Sequence, residues 1–330
     1  MGGTSAERDV SIASGVRIAA ALRSRGHEVI SLDTALGVID DATEKRLLAS
    51  GVQQAPPDLA SLAAMSEQSL SPMLGTLPEV RAADVVFLAL HGGQGEDGTL
   101  QALFDLSGVR YTGTGQLGSA IAMDKDISKR LFRDNGVGTA DWLMAPATAA
   151  QVEAKLGFPV VVKPSKQGST VGLTLVREPH ELEAAIVEAY RYDDEVMLEQ
   201  FIRGRELTVG ILGNEALPIG EIIPKHELYD YECKYTAGMA VEEFPAKLDA
   251  AVAAVVQDQA VRAFRALKLR GYARIDFRLD DSGGCFCLEA NTLPGMTGTS
   301  LIPQAAAAAG ISFPELCERI VQLATTEGRS

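Results

Sequence analysis

Hydrophobic and polar positions follow two periods along the chain, and the two periods separate helices from strands. Apolar residues recur at helical spacing over residues 4–26 and again over 247–268, which predicts two amphipathic helices. The short apolar runs HEVISLD (27–33) and ADVVFLALHGG (83–93) end in polar or glycine-rich turns, as parallel strands do. Residues 1–120 therefore predict a doubly wound α/β unit, whose ligands bind at the carboxyl ends of its strands.

The opening MGG turn lacks the buried strand that normally precedes such a turn, because only Met1 comes before Gly2. We therefore expect an in-frame apolar strand encoded upstream of Met1. Thr4 and Glu7 fit the spacing of a capping box. Glu7 is accordingly either a helix cap or a functional carboxylate at this turn.

The pattern changes after residue 120. Residues 157–176 predict a strand, a flexible loop (PSKQGSTVG) and a second strand, and further strands follow in 195–224. Lys163 leaves a buried strand beside this loop, which suits either phosphate binding or a plain hairpin turn with a solvated lysine. Glu199 ends a predicted strand and Glu206 follows it. The extended connection after Glu199 offers backbone N–H and C=O groups to a flat heterocycle, and Glu206 suits a ribose; the alternative is an ordinary charged strand end.

The hairpin ARIDFRLDDSGGCFCLEAN (273–291) carries the clearest candidate chemistry. With a turn at residues 281–284, alternation places Asp276 opposite Glu289 and Arg274 opposite Asn291. Facing carboxylates repel each other unless a cation lies between them, and such oxygen ligands suit Mg²⁺. The alternative is an exposed, solvated face of the hairpin. The residues expected on this face are Arg274, Asp276 and Arg278 on the first strand, and Cys285, Cys287, Glu289 and Asn291 on the second.

Composition and charge narrow the class of protein. The 330 residues are 46% hydrophobic and carry a net charge of −14, which argues against nucleic acid or an anionic membrane as a partner. We find no apolar run of the roughly 18 residues that a membrane span requires and no signal peptide. The four cysteines lack metal-ligand spacing, so we expect reduced thiols and a cytoplasmic protein.

Several motifs together resemble the D-alanine–D-alanine ligases, namely HGGQGEDGTLQ (91–101), MDK (123–125), VVVKPSKQGSTVG, YDYECKY (229–235) and ARIDF with LEANTLPGMTGTSL. The resemblance runs from Gly2 almost to the C-terminus. It implies an ATP-grasp fold behind an N-terminal α/β domain. The expected boundaries are 1–120 for the N-terminal substrate-binding domain, 121–195 for the central lobe and 196–330 for the C-terminal catalytic lobe.

The resemblance also implies a role for each matching residue. The expected catalytic residues are Glu7, Ser169, Tyr235, Arg274 and Ser300. D-alanine would be bound by His91, Lys234, Gly295, Ser300 and Leu301. ATP would be bound by Lys125, Lys163, Ser169, Glu199, Phe201, Ile202 and Glu206. Two Mg²⁺ or Mn²⁺ ions would be held by Asp276, Glu289 and Asn291.

The implied activity is ATP-dependent ligation of two D-alanine molecules through an acyl phosphate, for peptidoglycan precursors, by a homodimer. Two alternatives remain: a ligase that joins D-alanine to another D-amino or D-hydroxy acid, and a catalytically impaired nucleotide-binding homologue. Arg278 departs from the family pattern, in which an apolar residue is usual. We expect its side chain to extend toward solvent.

Overall fold

The computed structural model describes residues 1–5, 7–50, 71–225 and 238–326. The N-terminal part comprises the helices α1 (Arg8–Ser24), α2 (Asp41–Ser50), α3 (Pro78–Ala82), α4 (Thr99–Ser107) and α5 (Gln116–Met123), with the short strands β1 (Ser31–Asp33) and β2 (Gly37–Ile39). None of the described helices has both the length and the apolar character needed to cross a membrane.

A four-stranded antiparallel sheet follows, in the order β3 (Trp142–Met144), β6 (Val196–Gln200), β4 (Val160–Pro164) and β5 (Thr174–Val176). The helices around it are α6 (Lys125–Asp134), α7 (Ala149–Lys155) and α8 (Leu182–Ala189). Strands β4 and β5 flank the predicted loop and pair antiparallel, which confirms the predicted strand, loop and strand. All five residues of β4 are buried, so this strand holds the start of the loop firmly.

A second, larger sheet contains β7 (Arg205–Leu212), β8 (Glu215–Ala216), β9 (Gly220–Pro224), β10 (Ala240–Glu243), β11 (Tyr272–Leu279) and β12 (Cys285–Asn291). Its order is β10-β9-β7-β11-β12, with β8 on β7. The helix α9 (Ala250–Ala266) packs on this sheet, and α10 (Leu301–Ala308) and α11 (Phe313–Thr326) complete the chain. Residues 201–204 carry the chain from the smaller sheet to the larger one.

The β11–β12 hairpin confirms the predicted pairs Asp276–Glu289 and Arg274–Asn291. The turn is nevertheless one residue out of the predicted register, because Leu279 rather than Asp280 pairs with Cys285. A β-bulge between Asp276 and Phe277 absorbs the difference. One extra residue reverses the facing of every side chain before it on the bulged strand.

The expectation that Cys285 and Cys287 share a face with Glu289 and Asn291 is therefore wrong. Both thiols are buried in the apolar core beneath the sheet, together with Phe277. Cys285, Cys287 and Cys317 are free thiols, whereas Cys233 lies outside the described residues. Burial raises the pKa of the Cys285 thiol to about 12, so this thiol is protonated and unreactive near neutral pH.

The N-terminal strands differ from the prediction. The run 27–33 yields only β1, which pairs antiparallel with β2 rather than parallel with a neighbour. The run 83–93 contributes a single parallel bridge between Val86 and Tyr111. Two of the backbone groups that follow this bridge form hydrogen bonds with side chains instead of with a neighbouring strand. The Thr112 hydroxyl accepts from the Leu88 N–H at 3.1 Å, and the Ser11 hydroxyl donates to the Ala89 carbonyl at 2.6 Å.

One apolar core joins the two ends of the chain. Ile18 and Leu22 of α1 pack in the same cluster as Leu90, Ile302 of α10 and Ile320 of α11. A second core lies under the larger sheet and α9, and a third lies under the smaller sheet. The first core therefore fixes the N-terminal turns against the segment that follows β12.

Candidate active site

Residues of both sheets line one cavity of about 110 Å³. Eight of the residues that the resemblance assigned to ATP, metal or substrate lie around it: Lys125, Lys163, Ser169, Glu206, Arg274, Asp276, Glu289 and Leu301. They come from positions 125 to 301 of the chain, so the fold rather than sequence proximity brings them together. Leu288, the residue of β12 at the bulge, also lines the cavity.

The two facing carboxylates of the hairpin are held by cations and hydrogen-bond donors. The Lys125 ammonium lies 3.2 Å from Glu289 Oε2. Arg274 Nη2 donates to Asp276 Oδ2 at 2.8 Å, and the Thr208 hydroxyl donates to Asp276 Oδ1 at 2.7 Å. Positive groups therefore offset the repulsion between the two acids.

Asn291 completes this group from the neighbouring position on β12. Its amide donates to Asp276 Oδ2 at 3.1 Å. The described residues contain no cluster of three or more His, Cys, Asp or Glu side chains placed to hold a metal. Two carboxylates and one amide oxygen nonetheless form a hard-oxygen donor set of the kind that Mg²⁺ takes alongside phosphate oxygens. The donor set thus fits the expected cation.

A fully buried lysine, Lys129, adjoins the predicted phosphate-binding residues and was missed in the sequence. Its ammonium is bonded to Glu199 Oε1 and donates to the Thr139 hydroxyl at 2.6 Å. Lys163 donates to the other carboxylate oxygen, Glu199 Oε2, at 2.6 Å. Lys129 lies one helical turn after Lys125, and that i,i+4 spacing is the signal that could have identified it.

Glu199 therefore sits between two ammonium groups and is only 3% exposed. Burial alone would raise the pKa of Glu199, but Lys129 and Lys163 outweigh it and lower the pKa to about 2. Burial lowers the pKa of Lys129, against the attraction of Glu199. Two cations and one carboxylate leave the group with a net charge of +1, and Lys163 is the member that lines the cavity.

Glu7 rather than Thr4 occupies the N-cap position of helix α1. The helix begins at Arg8, and the Glu7 side chain makes no capping hydrogen bond, so the capping-box interpretation is wrong. The Ser169 hydroxyl instead donates to Glu7 Oε1 across 162 positions of sequence. Ser169 and Thr170 have left-handed backbone φ angles of +52° and +60°, a region that non-glycine residues rarely adopt.

His91 is buried and holds the N-terminal turn to the segment after β12. Its Nδ1 lies 2.7 Å from the Leu293 carbonyl and its Nε2 lies 3.3 Å from the Ser14 hydroxyl. Burial lowers the pKa of His91, so its ring is neutral near pH 7. Since a carbonyl only accepts, Nδ1 carries the proton. His91 also lines a separate cavity of about 200 Å³ with Gly3, Thr4 and Leu90.

Glu96 is a second residue that the sequence prediction missed. One oxygen accepts from the N–H groups of Thr292 and Leu293 at 3.1 and 3.2 Å, and the other accepts from Gly92 at 3.0 Å. Burial raises the pKa of Glu96 to about 7, and the nearby charge of Glu7 adds to the effect. The sequence signal that could have identified Glu96 is an acidic residue inside a glycine-rich turn.

The segment around Gly295 and Ser300 is tightly packed. A Cβ added at Gly295 would lie 2.8 Å from Ser300 Oγ, so a larger residue here would displace the Ser300 side chain. Ser300 precedes α10, and its hydroxyl accepts from the Thr297 N–H at 2.9 Å. Phe201 and Ile202 are half-buried in the segment between the sheets. Lys234 and Tyr235 lie outside the described residues.

Comparison with known proteins shows that the chain is similar to amino-acid ligases. Residues 1–114 match the family model described as "D-ala D-ala ligase N-terminus", and residues 134–322 match "D-ala D-ala ligase C-terminus". A D-alanine–D-alanine ligase of Citrifermentans bemidjiense is 41% identical and covers 98% of this chain and 94% of its own. One from Pediococcus pentosaceus is 39% identical, with 97% and 95% covered.

Two solved structures have similar folds. The D-alanine–D-alanine ligase of Bacillus anthracis complexed with ATP has a TM-score of 0.75 at 32% identity, covering 98% of this chain and 94% of its own. The VanG D-Ala:D-Ser ligase of Enterococcus faecalis has a TM-score of 0.80 at 28% identity, covering 98% and 97%.

Proposed function

The chain belongs to the D-alanine–D-alanine ligase family, and we propose that it uses ATP to join two D-alanine molecules into the dipeptide for peptidoglycan precursors. The family's solved structures also confirm the predicted mixed α/β and α+β architecture with an ATP-grasp fold. The Bacillus anthracis relative binds ATP, and ATP is the substrate we assign to this chain. ADP and phosphate are the expected co-products.

The cavity between the two sheets is the observation that carries this proposal. It gathers two lysines, the carboxylate of Glu206 and a facing pair of acids around one space. Lysine ammonium groups suit the phosphates of ATP. Phe201 and Ile202 lie in the segment that joins the two sheets, and we assign their backbone to the adenine. The predicted contact of Glu199 with adenine is less favoured, since both of its oxygens bind lysines.

We assign two divalent cations, Mg²⁺ or Mn²⁺, to Asp276, Glu289 and Asn291. When bound, they would neutralise phosphate charge and align the triphosphate. The support is the oxygen donor set and the antiparallel register that places the two acids opposite each other. Lys125 and Arg274, which contact these acids, would then be available to anionic groups of the substrates.

The chemistry follows from the poor reactivity of a carboxylate toward nucleophiles. A carboxylate oxygen of the first D-alanine attacks the γ-phosphorus of ATP, and ADP leaves with the β–γ bridging oxygen. Lys163 and Lys125 offset the negative charge of the phosphates during this transfer. The neutral amine of the second D-alanine then attacks the carbonyl carbon of the acyl phosphate. Phosphate leaves with the former carboxylate oxygen, and a peptide bond forms.

Arg274 is the group we assign to the oxyanion that develops during the second step. Its guanidinium is oriented by Asp276 through two nitrogens, Nε and Nη2. A positioned donor of this kind is worth about 3 kcal/mol of transition-state stabilisation. The Gly295 backbone would be a second donor to the same oxygen.

The first D-alanine would lie between Glu7 and His91. A carboxylate side chain at Glu7 suits the ammonium group of this substrate, and the Ser169 hydroxyl orients it. The second D-alanine would place its carboxylate at Ser300, at the positive N-terminal end of α10 next to Leu301. Lys234 and Tyr235 belong to this second subsite in the proposal. Closure of the loops over the site would exclude water from the acyl phosphate.

The remaining assignments follow from the family and the proposed reaction. We propose domain boundaries at 1–120, 121–195 and 196–330, a homodimer, and a cytoplasmic location where peptidoglycan precursors are made. Size-exclusion chromatography with light scattering tests the dimer, since a monomer mass of 34.9 kDa would contradict it.

A second candidate is favoured by the similarity to the VanG D-Ala:D-Ser ligase. In that case the second substrate would be another D-amino acid or a D-hydroxy acid. ATP-dependent phosphate release with D-alanine alone, D-alanine plus D-serine, D-alanine plus D-lactate, and L-alanine separates the possibilities. Release with D-alanine alone supports the proposal, and release only with an added D-serine or D-lactate supports the second candidate. The absence of release with every substrate would identify a catalytically impaired homologue.

A further inference from the structure

Arg278 is a buried charge that the proposed reaction does not use. It lies on β11 and is 8% exposed, which corrects the expectation that its side chain extends toward solvent. Its position on the strand follows Arg274 and Asp276 by alternation, so it faces the same side of the sheet as those residues. A guanidinium removed from water in this way must be paired with hydrogen-bond acceptors.

Two acceptors hold the Arg278 guanidinium, one on the neighbouring strand β7 and one in the segment that precedes it. Its Nη2 lies 3.1 Å from Glu206 Oε2, and both side chains are about one-tenth exposed. Its Nη1 donates to the Gly204 carbonyl at 3.1 Å. The two bonds therefore tie the Arg278 guanidinium to the Glu206 carboxylate, which lines the cavity, and to the backbone two residues before Glu206.

The Gly204 contact lies in the segment that joins the two sheets. Gly204 has φ of +138°, and an added Cβ would lie 2.1 Å from the Leu279 carbonyl oxygen. The segment 201–204 thus runs directly against the end of β11 that carries Arg278. In the proposed function the same segment binds the adenine and Glu206 binds the ribose.

We propose that Arg278 is a positioning residue for the nucleotide: it orients the Glu206 carboxylate toward the ribose hydroxyls, and its bond to the Gly204 carbonyl holds the guanidinium in place for that role. The proposal rests on the proposed function, because it takes ATP as the ligand of this cavity. Arg278 contacts Glu206 and not the reacting atoms. Its effect therefore falls on nucleotide binding and requires a ribose hydroxyl.

The test compares ATP with 2′,3′-dideoxy-ATP in steady-state assays of the wild type, Arg278→Met and Arg278→Lys. Arg278→Met should weaken the charge-assisted hydrogen bond between Glu206 and the ribose, and the loss of such a bond raises the KM for ATP about tenfold. The kcat should stay within about twofold of the wild type. The KM for dideoxy-ATP should stay at the wild-type value. Arg278→Lys should be intermediate, since one ammonium cannot reach both acceptors in the geometry of a planar fork.

Arg262→Met is the matched control, because Arg262 is an exposed arginine of α9 whose ion pair with Asp258 lies on the surface. It should leave both KM values unchanged. Thermal unfolding of each variant establishes that it is folded, and Arg278→Lys keeps the test usable if Arg278→Met does not fold. Equal rises in KM for ATP and dideoxy-ATP, or no rise for ATP, would overturn the role of Arg278. A wild type that releases no phosphate would instead overturn the proposed function.

Discussion

Replacing Lys129 with methionine removes one of the two ammonium groups that neutralise Glu199. Lys129 is fully buried and Glu199 is 3% exposed, so water cannot replace the lost partner. Removing one member of a buried ion pair typically destabilises a protein by about 3–5 kcal/mol. Glu199 retains Lys163 as a partner, which favours the lower end, and we expect a loss of about 3 kcal/mol.

The pH dependence gives an independent measure of the same interaction. The two lysines, acting against burial, lower the pKa of Glu199 from 4.5 to about 2, a difference that corresponds to about 3 kcal/mol. A carboxyl whose pKa is lower in the folded state stabilises the fold above pH 4.5 and loses that contribution as the pH falls toward 2. Lys129→Met should therefore show a smaller loss of stability over this range than the wild type.

Urea denaturation followed by circular dichroism measures both effects. The double variant Lys129→Met/Glu199→Gln should be less stable than Lys129→Met, because the second substitution breaks the remaining buried pair between Glu199 and Lys163. Arg262→Met again is the exposed control and should change the free energy of unfolding by less than about 0.5 kcal/mol. A loss below about 1 kcal/mol in Lys129→Met, or a double variant as stable as the single one, would refute the reasoning.

Three further predictions concern the site. Glu289→Ala should abolish turnover yet leave the fold intact, because the Glu289 side chain is partly exposed; phosphate release above about one-hundredth of the wild-type rate would contradict its assignment. Burial raises the pKa of Glu96 to about 7, so the folded protein keeps a proton that the unfolded chain loses near pH 4.5. The contribution of Glu96 to stability should then fall between about pH 4.5 and pH 7, and Glu96→Gln should remove this fall in urea titrations across the range. Thr170→Gly should raise stability by about 1 kcal/mol, because glycine relieves the left-handed backbone; lower stability in thermal unfolding would show that this residue is not strained.

The hairpin shows what alternation predicts and what it cannot. Period-two spacing predicted that Asp276 lies opposite Glu289, and the structure confirms this pair. The turn was predicted to begin at Asp281, one residue too late, and a bulge between the turn and the facing acids compensated for that error. The facing of Cys285 and Cys287 was wrong for the same reason. A bulge leaves no periodic signal in a strand of seven residues, so it could not be predicted.

Contacts between elements that are distant along the chain could not be predicted from the sequence either. The bonds from Lys129 to Glu199 and from Arg278 to Glu206 each join residues about 70 positions apart, and no local pattern specifies such partners. The sequence pattern also predicted more strand in residues 27–33 and 83–93 than the structure contains, for a related reason. Hydroxyl groups of Ser11 and Thr112 bind backbone groups that a strand ladder would otherwise bind. Side-chain hydrogen bonds of this kind compete with secondary structure and have no hydrophobic periodicity.

Oxygen transfer from the substrate tests the proposed reaction most directly. D-alanine carrying ¹⁸O in its carboxylate is incubated with the wild type and ATP, and the released phosphate is analysed by mass spectrometry. The acyl-phosphate route predicts one ¹⁸O in each phosphate released, in step with the formation of D-alanyl-D-alanine. Unlabelled phosphate, or phosphate released without dipeptide, would contradict it.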